Sequence, residues 1–482
     1  MFRADGGPGT GMGHLVRSAA LAAELRLRGW ATWLASREIP PSFAEQQEAS
    51  GCSLIRLAGD QRDEFGTVSR TLGARAAWIV LDHYGLGTDW LDGASRIAEA
   101  RLVLDDLHDR RIECEIVVNP CFVAGRAAYA GLAPGARTLL GPAFALIRSE
   151  FVVARGSAPA RSFDAVRRIL VSLGGSDPGG ATGPIIDEVL AAAPWAEVDV
   201  LLGPAAGTAV VPESDRVHAY VDPPDVPALM LAADLAVGAG GGMVWERCAM
   251  GVPSLIVAVA DNQREQSEMV AASGAAHYLG PLADVEPGAV AAALAAALEP
   301  DVRREMAQRG QALVDGLGCV RVADHMEGVS LRPATYDDVR RVWVIANDPT
   351  VRAVSISTDP IPWESHRAWF EARLAGGQPL LIVAIGPRSV GYVRFDEGPD
   401  GAEVSIALDP MHRGGLGGRV LRTACDWWDA AHRGGPLLAR IKTDNDASRR
   451  AFYGSGFVDT RTERGIVTVV RPEHPSAEGD SR

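Results

Sequence analysis

A histidine follows directly after a glycine-rich loop near the start of the chain. The loop covers residues 6–13 (GGPGTGMG), and apolar residues recur at helical spacing from His14 onward. Glycines let a backbone approach a ligand closely, and the N–H groups of a helix N-terminus favour an anion. The positive end of the helix dipole disfavours an imidazolium ion, so His14 is suited to take a proton from water. The alternative is that His14 only hydrogen-bonds a phosphate or closes the helix start.

Two further glycine-rich turns separate an apolar run from a helical segment. Residues 169–178 (ILVSLGGSDP) contain Gly174, Gly175 and Ser176, whose N–H groups could form a nest for a phosphate. Residues 238–243 (GAGGGM) offer a second set of donors where the next helix begins. These turns predict a phosphorylated ligand, and a single such turn would be a weak signal.

Three aspartates follow predicted strands, where ligands gather in open α/β sheets. They are Asp82, Asp105 and Asp106. The adjacent pair could be interpreted as metal ligands, but no histidine or third acid stands at a suitable spacing. We therefore expect no metal, and we expect the pair to position a sugar or His14.

The elements that must position these residues form two similar series. Short apolar runs at residues 30–36, 76–83, 100–106 and 114–120 alternate with helical segments, and a second series begins near residue 167. Continuous apolar strands joined by helices predict parallel sheets covered on both faces. We expect an α/β fold with two Rossmann-like lobes, one at residues 1–150 and one at residues 151–325, with a cleft between them.

The pattern changes near Gly328. A strand, an N-cap candidate at Thr335 and an amphipathic helix come first, and an antiparallel meander follows over residues 380–410. These features predict an α+β domain at residues 328–470 and a disordered tail at residues 471–482.

Composition narrows the classes of function. The chain has 482 residues with a net charge of −14, which argues against nucleic acid binding but not against a local site for a small anion. The six cysteines lie far apart and are expected to be reduced thiols. We find no signal peptide pattern and no apolar window long enough to span a bilayer, so we expect a cytoplasmic protein without a membrane partner.

Six ordered motifs within the first 320 residues resemble one enzyme family. They are FRADGGPGTGMGHLVRSAALA (2–22), IVLDHYGL (79–86), LDDLHDR (104–110), GPAFALIRSEF (141–151), ILVSLGGSDP (169–178) and GAGGGMVWERCAMGVPSLIVAVADNQ (238–263). The family is that of the UDP-2,4-diacetamido-2,4,6-trideoxy-β-L-altropyranose hydrolases of pseudaminic acid biosynthesis. The resemblance implies a GT-B-like fold in which water attacks the anomeric carbon and UDP leaves.

The resemblance also implies individual roles. His14 would be the catalytic histidine, and Asn262 and Tyr84 would lie at the sugar. Glu246 would grip the ribose hydroxyls, unless it is only a first-turn acid that the helix dipole favours. The expected substrate contacts are Gly11, Gly13, Asp82, Gly174, Gly175, Ser176, Gly241, Gly242, Met243, Glu246 and Gln263.

The first strand departs from this family. It would consist of little more than residues 1–4 (MFRA), whereas such strands usually have about five residues. Members of the family usually carry a few apolar residues before the equivalent of Phe2. We therefore expect either a start a few codons upstream or a frayed strand.

Residues 329–470 resemble the GNAT superfamily of acetyl-CoA-dependent N-acetyltransferases. The resemblance is carried by RPATYDDVRRV (332–342), by the turn RGGLGG (413–418) that opens a helix, and by NDASRRAFYGSGF (445–457). It implies acetyl-CoA as cosubstrate, with its pyrophosphate on the turn and its pantetheine on the strand at Ser405–Leu408. A plain glycine turn is the alternative. The expected cofactor contacts are Ile406, Leu408, Arg413, Gly414, Gly415, Gly417, Gly418, Asn445 and Ser448.

Two positions depart from the GNAT pattern. Leu416 occupies the place of the first glycine in the usual Arg-x-x-Gly-x-Gly turn. Phe452 occupies the place of the tyrosine that protonates the CoA thiolate, and Tyr453 follows it. A step of one residue turns a helix side chain by about 100°. Tyr453 is thus a candidate acid that need not face the sulfur.

Together the two resemblances predict a bifunctional nucleotide-sugar enzyme. One half would acetylate the 4-amino group of a UDP-linked trideoxy sugar, and the other would then remove UDP. The alternative is a GT-B glycosyltransferase joined to a GNAT module that binds CoA or has a regulatory role. The stereochemistry of the sugar and the oligomeric state stay open.

Overall fold

The computed structural model describes residues 1–7, 10–58, 64–121, 125–157, 161–174, 177, 180–203, 211–399, 401–431 and 435–471. The chain divides into two compact units, Met1–Val322 and Ala323–Arg482. All six cysteines lie among the described residues, and each of them is buried and free. No helix of the described segments is long and apolar enough to cross a membrane.

The first unit begins with a parallel sheet of seven strands in the order β3-β2-β1-β4-β5-β6-β7. Its strands are β1 Phe2–Ala4, β2 Trp33–Ser36, β3 Ser53–Arg56, β4 Ala76–Asp82, β5 Ala98–Leu104, β6 Ile116–Asn119 and β7 Arg137–Leu140. Its helices are α1 Gly13–Leu27, α2 Pro41–Ala49, α3 Glu64–Leu72, α4 Thr88–Ala94 and α5 Gly125–Leu132. The first strand and the four apolar runs predicted as strands are present, whereas the short strands β3 and β7 were not predicted.

The first strand lies at the centre of this sheet. Phe2 pairs with Leu34 on one side and with Val80 on the other, and all three residues of β1 are buried. The amino group of Met1 donates to the carbonyl oxygen of Trp78 at 2.8 Å. The expectation of a frayed strand is therefore wrong, because two neighbouring strands hold this segment by backbone pairing.

The second sheet of the first unit is also parallel, in the order β10-β9-β8-β11-β12-β13. Its strands are β8 Arg168–Ser172, β9 Glu197–Leu202, β10 Val217–Val221, β11 Leu235–Ala239, β12 Ser254–Ala258 and β13 His277–Pro281. Its helices are α6 Ser149–Ser157, α7 Thr182–Ala192, α8 Val226–Ala232, α9 Met243–Met250, α10 Arg264–Ala272, α11 Ala289–Ala297 and α12 Pro300–Leu313. Helix α13 Gly318–Glu327 follows and ends within the second unit. Apolar clusters cover both faces: Trp245 and Phe151 belong to one, and Ile186 and Leu294 belong to the other.

The second unit contains a mixed sheet in the order β14-β15-β16-β17-β18-β20-β19. Its strands are β14 Ser330–Pro333, β15 Leu380–Ile385, β16 Arg388–Gly398, β17 Gly401–Leu408, β18 Leu437–Lys442, β19 Val458–Glu463 and β20 Ile466–Arg471. Its helices are α14 Val339–Ala346, α15 Pro349–Val354, α16 Trp363–Ala375, α17 Leu416–Ala430 and α18 Asp446–Tyr453. Strands β15, β16 and β17 form the predicted antiparallel meander.

The fold class predicted from the sequence is confirmed, with two parallel Rossmann-like sheets followed by a GNAT-type sheet. Thr335 is the N-cap of the helical turn Tyr336–Asp338, and its N–H donates to the carboxylate of Asp338 at 2.8 Å. Arg471 belongs to β20, so the proposed disordered tail began one residue too early. Residues 472–482 of that tail lie outside the described residues.

Candidate functional site

His14 lies at the start of α1 and contacts the end of β4. Its Nδ1 is 2.6 Å from Oδ1 of Asp82, whose side chain is completely buried. Before His14, the backbones of Gly7 and Gly11 donate hydrogen bonds to each other. Because Asp82 accepts the hydrogen bond at Nδ1, the imidazole can keep its lone pair on Nε2. This contact fixes the orientation of the imidazole ring.

Arg17 joins the same carboxylate from one turn further along α1. Its Nε and Nη2 donate to the two oxygens of Asp82 at 2.7 and 2.6 Å, and its Nη1 donates to Asp106 at 2.8 Å. Burial by itself would raise the pKa of Asp82, but the charge of Arg17 and the hydrogen bonds from Arg17 and His14 hold that pKa well below its usual value. Arg17 was not predicted, although its spacing of three residues from His14 places both on one helix face.

Tyr84 and Asn262 complete this cluster. The hydroxyl of Tyr84 donates to Oδ2 of Asp106 at 2.8 Å, and it accepts from the amide of Asn262 at 2.9 Å. The rings of His14 and Tyr84 meet edge to face with centroids 4.5 Å apart. Burial, followed by the charge of Asp106, raises the pKa of Tyr84, so the phenol stays protonated. Asn262 follows β12, so both sheets of the first unit contribute to the cluster.

The carboxylates of Asp82 and Asp105 hold neighbouring residues in place by hydrogen bonds. Asp82 was expected to contact the substrate, but both of its oxygens bind side chains of α1. Asp105 accepts from the hydroxyl of Tyr129 at 2.6 Å and from the N–H of His108 at 3.1 Å, which holds the loop that presents Asp106. Within the described residues, no group of three or more His, Cys, Asp or Glu could hold a metal ion.

The glycine-rich turn at residues 238–243 leads into helix α9, as the sequence predicts. Gly241 and Gly242 precede Met243, where the helix begins. The amide of Gln263 packs against this turn, since a Cβ on Gly241 would lie 3.3 Å from its Nε2. Gln263 also accepts from the N–H of Val259 at 3.1 Å, which fixes its orientation.

Glu246 is buried one turn into α9, with 4% of its surface exposed. Its Oε1 accepts from Nε of Arg148 at 3.2 Å, while its Oε2 has no hydrogen-bond partner among the described residues. Burial raises the pKa of Glu246, although the charge of Arg148 opposes this rise. A buried acceptor without a donor is suited to receive a ligand hydroxyl. Arg148 was not predicted.

The structure describes only part of the glycine-rich turn within residues 169–178, which was also predicted to bind phosphate. Gly174 follows β8 and has a φ of 108°, which suits glycine. Gly175 and Ser176 lie outside the described residues. Gly11 has a φ of 70°, and a Cβ there or on Gly13 would meet no atom within 4 Å. The loop before His14 therefore leaves space beside its backbone.

In the second unit, the turn at residues 413–418 leads into α17. Gly414 and Gly415 have φ values of 98° and 81°, which L side chains rarely adopt. Gly417 and Gly418 lie in the first turn of α17, where backbone N–H groups have no partner within the helix. Burial lowers the pKa of Arg413. The turn thus presents backbone donors at a helix N-terminus.

Strands β17 and β18 pair only at their first residues. The parallel register comprises Ala402 with Leu437 and Glu403 with Leu438. Further along β17, residues 404–408 pair with β16, and among the described residues they have no partner on β18. Ile406 and Leu408 belong to this diverging part of β17. On the side away from β16, its backbone N–H and C=O groups are available to an extended ligand.

Helix α18 carries the remaining predicted residues. Asn445 caps the helix, because its Oδ1 accepts from the N–H of Ser448 at 3.1 Å. Phe452 is buried against Phe457, with ring centroids 4.9 Å apart. Tyr453 is 36% exposed and accepts from Nε of Arg449 at 3.2 Å. The two neighbouring aromatic side chains therefore face different surroundings.

Comparisons with known proteins agree with this description of the second unit. The acetyltransferase (GNAT) domain family matches residues 329–458. The L-amino acid N-acyltransferase MnaT of Escherichia coli is 32% identical over 141 residues, covering 27% of this chain and 81% of that protein. Through this segment, the chain belongs to the GNAT acetyltransferase family.

Other relatives cover more of the chain. The spore coat polysaccharide biosynthesis protein SpsG of Bacillus subtilis is 27% identical over 342 residues, covering 66% of this chain and 95% of that protein. The uncharacterized protein MJ1062 of Methanocaldococcus jannaschii is 21% identical and covers 95% of this chain and 96% of its own length. The structure of yncA, a putative acetyltransferase from Salmonella typhimurium with its cofactor acetyl-CoA, matches 32% of this chain with 23% identity and a TM-score of 0.28.

Proposed function

We propose that this protein performs two consecutive reactions on a nucleotide-linked amino sugar. The second unit transfers an acetyl group from acetyl-CoA to the 4-amino group of a UDP-linked trideoxyhexose. The first unit hydrolyses the resulting UDP-linked 2,4-diacetamido-2,4,6-trideoxyhexose to UDP and the free sugar. The contact network joining His14, Asp82, Arg17, Asp106, Tyr84 and Asn262 carries the hydrolase proposal.

In the hydrolysis, His14 is the base. Its Nε2 takes a proton from water as the water oxygen bonds to the anomeric carbon and the bond to UDP breaks. Asp82 holds the ring through Nδ1 and stabilises the imidazolium that forms. Asn262 and the protonated Tyr84 bracket the sugar beside His14, and UDP departs without a protonating acid because a diphosphate is a competent leaving group.

The turn before α9 supports a place for UDP in the same unit. Gly241, Gly242 and Met243 supply backbone donors at a helix N-terminus, which favours a diphosphate. The unpartnered Oε2 of Glu246 can accept from a ribose hydroxyl, and Arg148 keeps the carboxylate oriented. The similarity to SpsG, whose name refers to polysaccharide biosynthesis, supports a sugar substrate.

For acetyl transfer, the turn at residues 413–418 receives the pyrophosphate of acetyl-CoA and the open edge of β17 receives its pantetheine amides. The acceptor amine attacks the thioester carbon, loses a proton and displaces the CoA thiolate, which takes up a proton. Tyr453 is our candidate for the group that supplies this proton. The match of residues 329–458 to the acetyltransferase (GNAT) domain family supports this cosubstrate.

Product analysis of the full-length protein tests both reactions. A panel of UDP-linked 4-amino sugars is incubated with acetyl-CoA, and CoA, acetylated UDP-sugar, UDP and free sugar are measured by mass spectrometry. We expect all four products, with UDP forming in the absence of any sugar acceptor. UDP release that requires a sugar acceptor would identify a glycosyltransferase instead. Absence of CoA release would leave the second unit as a CoA-binding or regulatory module.

A further inference from the structure

One face of the second unit's sheet carries a group of cations beside the diverging strands. Arg394 on β16 pairs in register with Ser405, which lies two residues beyond Glu403, the last residue of β17 in register with β18. Tyr392 lies two residues earlier on β16, so its side chain points to the same face. The ring of Tyr392 packs against the apolar cluster that includes Phe370. Arg394 therefore flanks the opening between β17 and β18.

Two more cations approach from neighbouring elements. Lys442 ends β18, and its Nζ donates to the carbonyl oxygen of Ala353 at 2.9 Å. The adjacent Arg352 lies on α15 and donates to the hydroxyl of Ser355 at 3.1 Å. Burial raises the pKa of the Tyr392 phenol, and the charges of Arg394 and Arg352 oppose that rise.

The positive charge of this group is only partly compensated. Within the described part of the chain, neither Arg352 nor Lys442 lies at ion-pair distance from a carboxylate. Nε of Arg394 is 3.4 Å from Asp396, a carboxylate that also accepts from Arg373 at 2.6 Å. The buried Nε atoms of Arg352 and Arg394 donate no hydrogen bond to any described residue. Buried donors without acceptors, beside positive charge that is only partly compensated, favour binding of an anion.

We propose that Arg352, Arg394 and Lys442 bind the diphosphate of the nucleotide-linked amino sugar that accepts the acetyl group. This inference rests on the proposed acetyl-transfer function. It adds the residues of the acetyltransferase site that would bind the acceptor substrate. The diphosphate is attached at the anomeric carbon, so it can occupy the cationic group while the amine reaches the opening between β17 and β18. The turn at residues 413–418 keeps its separate role for acetyl-CoA.

Steady-state kinetics of the full-length protein test the assignment. Initial rates of CoA release are measured for the wild type, Lys442→Met and Arg352→Gln, with a UDP-linked 4-amino sugar and with the same amino sugar lacking UDP. We expect the KM for the UDP-linked acceptor to rise about ten- to hundredfold in each variant, as for loss of a charge-assisted hydrogen bond. The KM for acetyl-CoA and the rate with the free amino sugar should stay within about twofold of the wild type.

Arg440→Gln is the matched control. Arg440 lies on β18 two residues before Lys442, but Glu403 accepts from its Nε with both oxygens at 3.0 Å and neutralises its charge. An unchanged acceptor KM in both test variants, or an equal rise in the control, would overturn the inference while leaving acetyl transfer in place. An equal loss of activity with the UDP-linked sugar and with the free amino sugar would show that the substitution damages the structure. That result would also overturn the inference. A wild type that acetylates no UDP-linked amino sugar would overturn the proposed function itself.

Discussion

Arg17 grips Asp82 with two nitrogens, at 2.6 and 2.7 Å, while His14 binds the same carboxylate at 2.6 Å. One buried carboxylate thus orients a histidine and a guanidinium that lie three residues apart on α1. Arg17 also donates to Asp106, which in turn accepts from Tyr84. The candidate base and the residues expected at the sugar are therefore parts of one hydrogen-bonded group.

Replacement of His14 tests the base directly. We expect His14→Gln to lower kcat for UDP release about 10²- to 10⁴-fold, the range usual for loss of a general base. The KM for the UDP-sugar and the rate of CoA release should change little, since the replaced imidazole belongs to the first unit. Quenched-flow assays of UDP and a thiol assay of CoA measure the two activities. Full hydrolysis by this variant would exclude His14 as the base.

Asp82→Asn removes a charge while keeping the size of the side chain. We expect kcat for hydrolysis to fall at least about 10²-fold, because the imidazolium loses its counter-charge and the orientation of the ring is no longer enforced. Ser18→Ala is the control, since its hydroxyl also donates to Asp82, at 3.3 Å, but carries no charge. We expect the control to lose about threefold or less. Similar losses in both variants would argue that only packing around Asp82 matters.

Glu246→Gln tests the carboxylate proposed for the ribose. We expect the KM for the UDP-sugar to rise about tenfold with little change in kcat, because the lost acceptor contacts a remote part of the substrate. Glu150→Gln is the matched control, because Glu150 also pairs with Arg148, at 3.0 Å, but its side chain is 48% exposed. Titration calorimetry with UDP should show weaker binding for the first variant only. Equal binding by both variants would remove Glu246 from the UDP site.

The first unit should lose stability in acid. Burial favours the neutral forms of Asp5 and Asp82, but hydrogen bonds and ion pairs hold the pKa of each below its usual value. Each group therefore binds fewer protons when folded than when unfolded. Its full contribution is present above the unfolded pKa of about 4 and is lost as pH falls through the folded pKa.

Hydrogen exchange from pH 5 to pH 3 measures this loss in peptides that cover β1 and β4, after correction for the intrinsic pH dependence of exchange. We expect protection to decline steadily in the wild type and less steeply in Asp5→Asn. Asp301→Asn, at a site whose side chain is 92% exposed, should follow the wild type. A wild-type profile independent of pH would contradict the stabilising role of the two carboxylates.

Gly415→Ala tests the turn before α17. Because Gly415 has a φ of 81°, we expect a loss of about 1 kcal/mol in the free energy of unfolding and a higher KM for acetyl-CoA. Gly377→Ala imposes a similar backbone penalty at a φ of 69°, with no atom within 4 Å of its Cβ. The control should lose stability without a change in KM. Chemical denaturation and thiol assays separate the two effects, and an equal KM in both variants would argue against the turn as the CoA site.

The sequence by itself determined the fold class and the position of each glycine-rich turn. Apolar strands separated by helices specify parallel sheets, and a strand, turn and helix in succession place Gly242 and Gly415 where helix N-termini must lie. These are local patterns, in which neighbouring residues establish the geometry. The GNAT family match at residues 329–458 agrees with the motifs that the sequence displays.

Only the tertiary structure decided which side chains meet. Arg17 reaches Asp82 across 65 residues and Asn262 reaches Tyr84 across 178 residues, so their spacing along the chain carries no signal of contact. The same holds for Arg148 and Glu246, and for the convergence of Arg352, Arg394 and Lys442. Such contacts depend on the order of the strands in each sheet and on the packing between elements, which the local periodicity of a sequence does not encode.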